Sequence, residues 1–110
     1  MSVVHKELAE GRWARLSFCE QMANVGSEIS RALNWQKKGN TEHCRQAVNR
    51  GLELLTLTID GTITRSHFRE LTRLKEALLD YFYGANQFAS SEDLWKKYFA
   101  GFLYAARKST

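Results

Sequence analysis

No proline occurs anywhere in the 110 residues, and that absence constrains the fold more than any other feature. Proline is the residue that most reliably breaks a helix, so a chain without it can run long helices uninterrupted. The apolar residues are spaced to match. From Trp13 onward, Leu16, Cys19, Met22, Ala23, Gly26, Ile29 and Leu33 recur every three or four positions, which is one face of an amphipathic helix. Lys37-Lys38-Gly39 ends the run with two cations in the last turn and a glycine suited to the left-handed C′ position.

Three more segments repeat this grammar. Asn40 or Thr41 caps a second helix with Glu42 in its first turn and a stripe of Cys44, Val48, Leu52, Leu55 and Ile59, flanked by Ala47 and Leu54, up to a turn at Asp60-Gly61. A third runs from Thr64 or Ser66 to Tyr83, with Phe68, Leu71, Leu74, Leu78 and Phe82 expected to face inward. After Gly84 and the loop Ala85-Asn86-Gln87-Phe88-Ala89, Ser90-Ser91-Glu92-Asp93 places hydroxyl caps and two carboxylates where a helix begins. Leu94, Trp95, Tyr98, Phe99, Phe102 and Ala106 are the apolar positions of that last helix. The β-prone Leu57-Thr58-Ile59 is outweighed by the helical period around it. The expectation is all-α: residues 1–11 flank a single domain, 12–110, built as an antiparallel up-down-up-down four-helix bundle.

Glycine in mid-helix costs about 1 kcal/mol relative to alanine, so Gly26, with the small neighbours Ala23 and Ser30, needs a reason. Close packing against the bulky aromatics of the last helix is simpler than a ligand site. Glu28 is placed to pair with Arg31 or with a residue of another helix.

Composition narrows the function classes. With 44% hydrophobic and 25% charged residues, the chain has the makings of a core. It holds no apolar run of membrane-spanning length. Lys6, Glu7 and Glu10 occupy the place of a signal peptide's apolar core, so the protein reads as cytoplasmic. Cys19 and Cys44, both on helical stripes, read as reduced and inert thiols.

Catalysis finds little to work with. His5, His43 and His67 share no helix, and no His-x-x-x-His, Cys-x-x-Cys, Glu-x-x-His or Gly-Lys-Ser/Thr spacing occurs, which leaves no basis for a metal site, a phosphate loop or any cofactor. A resemblance to the HEPN ribonucleases, also helical bundles, would imply an arginine four to six residues before a histidine. No arginine precedes His43 or His67 at that distance, and Arg65-Ser66-His67 has the wrong spacing. The chain reads as a non-enzyme with no small-molecule substrate.

The net charge is +4 with histidines neutral, and its distribution is uneven. Residues 12–38 set Arg12, Arg15, Arg31, Lys37 and Lys38 against Glu20 and Glu28, while no acid follows Asp93. Arg65, Arg69 and Arg73 recur every four residues as a cationic ridge, with Glu70, Glu76 and Asp80 spaced to offset part of it through pairs three and four residues apart. With Lys96, Lys97, Arg107 and Lys108, these are the candidate nucleic-acid contacts, cations for phosphates beside aromatics for stacking. The alternative is an ordinary solvated face. In an adaptor that binds protein and no nucleic acid, Trp35, Phe88 or Trp95 would be the anchor.

The run Leu16-Ser17-Phe18-Cys19-Glu20-Gln21-Met22-Ala23-Asn24-Val25-Gly26-Ser27-Glu28, followed by Arg31-Ala32 and Trp35, resembles a signature of small bacterial and archaeal four-helix-bundle proteins. Leu52 through Ile59, Tyr98-Phe99-Ala100-Gly101-Phe102 and Ala105-Ala106-Arg107 are similar to the rest of that group, so the likeness covers most of residues 11–108. In architecture the group is similar to the ribosomal-RNA intervening-sequence bundle proteins and to the accessory variability proteins of diversity-generating retroelements. The latter resemblance implies a basic homo-oligomer, often a pentamer, associated with RNA and a reverse transcriptase.

Overall fold

The computed structural model describes residues 11–108; residues 1–10 of the flanking segment, with His5, lie outside the described residues. The described chain is all-α, with one short turn and four long helices: α1 (Trp13–Arg15), α2 (Phe18–Lys37), α3 (Thr41–Asp60), α4 (Arg65–Tyr83) and α5 (Glu92–Lys108).

The first long helix does not start at Trp13. The backbone leaves the helical region at Leu16 (ψ 145°) and Ser17 (ψ 163°). The Ser17 hydroxyl accepts from the Glu20 N–H at 3.1 Å while the Glu20 carboxylate accepts from the Ser17 N–H at 2.9 Å. This reciprocal box satisfies two backbone donors and makes a helix start inside an unbroken apolar period. Trp13 stays in the core, and the Gln21 side-chain amide donates to its carbonyl at 2.9 Å. The other starts follow the sequence reading. Asn40 accepts from His43 N–H, Thr64 from His67 N–H and Ser91 from Leu94 N–H. Gly39, at φ 75°, takes the left-handed position after α2.

Helix α2 is the hub, packing against both α3 and α5, while α4 packs against α3. Its buried Met22, Val25, Ile29 and Leu33 join Leu54, Leu55, Leu71, Leu74, Leu78, Trp95 and Phe99 in one core. A smaller cluster of Ala32, Ala47 and Val48 fills the α2–α3 contact. Two glycines permit these approaches. A Cβ on Gly26 would lie 2.7 Å from Phe99 Cβ, and one on Gly51 would lie 3.0 Å from Ile29 Cδ1. Packing therefore explains Gly26. Glu28, whose side chain is 13% exposed, bonds Arg31 at 2.8 Å and, across the helix pair, Arg50 at 3.0 Å.

Two residues expected inside are not. Phe68 is 50% exposed and Leu94 47%. Neighbouring positions on a helix differ by about 100°, and in each case the adjacent residue takes the inward place. His67 turns in to stack on Phe18 at 4.2 Å between ring centres, and Trp95 enters the core beside Leu94.

These contacts separate two glycines that look alike in sequence. Gly26→Ala should lose about 1–3 kcal/mol, because the added methyl meets a packed ring. Gly101→Ala, with nothing within 4 Å of its Cβ position, should gain about 0.5–1 kcal/mol from helix propensity alone. Urea unfolding of the two variants beside the parent checks both signs.

Candidate functional site

The four-residue spacing of Arg65, Arg69 and Arg73 along α4 sets them on one side of the helix, and that side faces a groove of about 960 Å³ against α5 and the loop before it. The groove's walls are Arg65, Ser66, Arg69, Glu70, Arg73, Leu74, Glu76 and Ala77 from α4, Trp95 and Tyr98 from α5, and Phe88 from the loop. Each arginine is exposed. Among the described residues, none of the three has a carboxylate within ion-pair distance.

Of the charge pairs expected on α4, Arg73 alone has acids three residues away, Glu70 and Glu76, and pairs with neither; Asp80 is seven residues from Arg73, beyond pair range. Glu70 accepts a hydrogen bond from the Tyr98 hydroxyl at 3.1 Å. Asp80 uses both carboxylate oxygens on the loop, taking the Gln87 N–H at 2.8 Å and the Phe88 N–H at 3.0 Å. Three guanidiniums facing two glutamates leave the groove with a positive excess. Its floor is apolar, so a charge contact there is less screened than on an open helix face.

The remaining candidate cations do not converge on this groove. Lys96 lines a separate 430 Å³ hollow between α2 and α5, together with Ser27, Arg31 and Leu103. It lies 3.8 Å from Glu92, which pairs more closely with Lys37 at 3.1 Å; that carboxylate holds the Lys37 ammonium above its usual lysine range. Lys97 lines a shallow hollow with Leu94 that shares Tyr98 with the groove. Lys108 sits 5.9 Å from the centre of the Tyr104 ring, and Arg107 is exposed at the end of α5.

The expected anchors separate in the same way. Phe88 is 62% exposed at the rim of the groove. Trp95 is 3% exposed and belongs to the core, which corrects its reading as a surface anchor. It packs among Tyr81, Tyr98 and Phe99, and its indole N–H is buried without an acceptor. Trp35 is half-buried, stacked on His43 at 4.6 Å with the Lys38 ammonium 5.1 Å from its centre.

Sequence reasoning missed the roles of Glu70 and Asp80, whose partners lie 28 and seven to eight residues away. No short-range spacing signals such bonds. Among the described residues, no group of three or more His, Cys, Asp or Glu is arranged to hold a metal ion. No helix of the described chain is long and apolar enough to cross a membrane. Cys44 is half-buried, and burial pushes its thiol up from the usual cysteine range, away from nucleophilic thiolate character. Comparison with known proteins finds no matching family model, no matching curated protein and no matching solved structure.

Burial, followed by the neighbouring Glu70 carboxylate, pushes the Tyr98 phenol well above the usual tyrosine range. The unfolded chain releases that proton near pH 10, so the folded state disfavours the phenolate. The stability Tyr98 contributes is complete below about pH 10 and is lost as the pH climbs beyond it. Tyr98→Phe should flatten the alkaline fall in stability while costing about 1 kcal/mol near neutrality, where the bond to Glu70 is lost. Urea unfolding of both proteins across the alkaline range tests this.

Proposed function

We propose that this chain is a non-enzymatic RNA-binding module, and that RNA lies in the α4–α5 groove with its phosphates on Arg65, Arg69 and Arg73. The observation that carries the reading is the row of three exposed guanidiniums, free of carboxylate partners among the described residues, in one groove with an exposed aromatic ring. Arginine suits this role because its fork of donors matches phosphate oxygens. Four residues of helix rise about 6 Å, so the row offers its charges at regular steps, as a nucleic-acid backbone does.

The finer architecture belongs to the same reading. Short connections and the packing order α4–α3–α2–α5 support an up-down-up-down bundle. The resemblance to retroelement accessory variability proteins supports a homo-oligomer, with a pentamer as the size it implies, working beside a reverse transcriptase, and the free thiols of Cys19 and Cys44 support a cytoplasmic setting. Repeating a subunit of net charge +4 around a closed assembly would sum its field over the RNA. The exposed Phe88 also suits the alternative, an adaptor that takes a protein partner and no nucleic acid.

For a single strand, log Kd should vary with log salt with a slope of about 0.7 for each neutralised phosphate. Three arginines therefore predict a slope of about 2 from this groove. The variant with alanine at positions 65, 69 and 73 should bind about 10- to 100-fold more weakly and lose most of that slope. Fluorescence anisotropy of a labelled RNA, with light scattering to follow the mass of the complex, makes the measurement. Affinity that ignores both salt and the arginines would leave the adaptor reading in place.

A further inference from the structure

The loop between α4 and α5 is held far more firmly than its exposure requires. The Asp80 carbonyl accepts the N–H groups of Gly84 and Asn86, both at 3.1 Å. Its carboxylate accepts those of Gln87 and Phe88. Beyond Phe88, the Asn86 side chain closes on Ser90 through two bonds, accepting from its N–H at 2.9 Å and donating to its carbonyl at 3.0 Å. Asn86 and Ala89 flank the segment at φ 55° and 54°. The left-handed region is disfavoured for a residue with a Cβ, and an alanine there has no side-chain hydrogen bond to offset the strain. All of this constraint converges on Phe88, a large apolar ring left 62% exposed. Folding into the core does not account for it.

We propose that Phe88 is a base-stacking platform fixed at the rim of the arginine groove, that Asp80 is the residue positioning it, and that the groove therefore selects single-stranded over duplex RNA. The inference rests on the reading of the groove as an RNA site. Duplex bases are already stacked on both faces and turn only their edges outward, whereas an unpaired base can lay its face on an aromatic ring. Stacking of this kind tolerates any base, because every base has a π-face. A ring held rigidly loses less conformational freedom on binding than one on a mobile loop. Backbone phosphates on Arg65, Arg69 and Arg73 and a base turned to the loop divide one ligand between the two walls of one groove.

Three labelled probes of equal length separate the possibilities: an oligoadenylate, an abasic ribose-phosphate strand and an RNA duplex. Phe88→Ala should weaken oligoadenylate binding about tenfold and leave the abasic strand unchanged, while Phe88→Tyr keeps the parent affinity. Asp80→Ala should reproduce the Phe88→Ala loss, and combining the two should add little, because both remove the same platform. Phe88 is exposed, so its variants carry the test even where Asp80→Ala disturbs the end of α4. Unchanged oligoadenylate binding by Phe88→Ala, or duplex bound by the parent as tightly as the single strand, overturns the platform while arginine-dependent binding leaves the groove reading intact. Binding of all three probes that ignores the arginines overturns the groove reading itself, and capture of an acidic peptide with no nucleic acid bound overturns both.

Discussion

The contact between Gly26 and Phe99 sets the geometry on which the rest depends. A ring seated against bare backbone lets α5 lie closer to α2 than side chains of ordinary size would permit. With Phe99 seated there, Trp95 one turn earlier enters the core, and Tyr98, on the flank of α5, faces α4. The groove lies between α4 and α5 with Trp95 and Tyr98 in its lining. A packing detail in the core thus determines which surface residues face one another. The helix propensity lost at Gly26, about 1 kcal/mol, is offset by burial of an aromatic side chain, which contributes more.

Charge distribution follows from the same placement. On an isolated helix, Glu70 and Glu76 would sit within reach of Arg73, three residues from each, and mute it, while Arg65 and Arg69 have no acid three or four residues away. Tertiary structure gives Glu70 another partner, the Tyr98 phenol on α5, and ties Asp80 to two loop amides. The three guanidiniums have no ion-pair partner among the described residues and are available to an external anion.

Much of the fold was readable because helices encode themselves locally. Asn40, Thr64 and Ser91 cap where short-range chemistry says they should, and Gly39 takes the left-handed turn. The break at Ser17 was encoded too, as Ser17-x-x-Glu20, but the apolar period running through it from Trp13 masked the signal. Phe68 and Leu94 show the limit of reading a stripe by type: each loses its inward place to the residue beside it, a step of about 100° that only the packed neighbour decides. The candidate site was partly visible as the arginine repeat. What gathered it into a groove, namely Tyr98 across from Glu70 and Phe88 held by Asp80, depends on contacts between separate helices and a loop. Lys96 and Lys97 adjoin in sequence yet line different hollows for the same rotational reason.

Trp95 lines the arginine groove on one side of α5 and the smaller hollow toward α2 on the other. The indole is a party wall between two surfaces that share no other lining residue, and its ring nitrogen is tethered by no hydrogen bond. Packing alone keeps the ring in place. A change at this one ring would alter the lining of both hollows, so no substitution of Trp95 is confined to a single flank of α5.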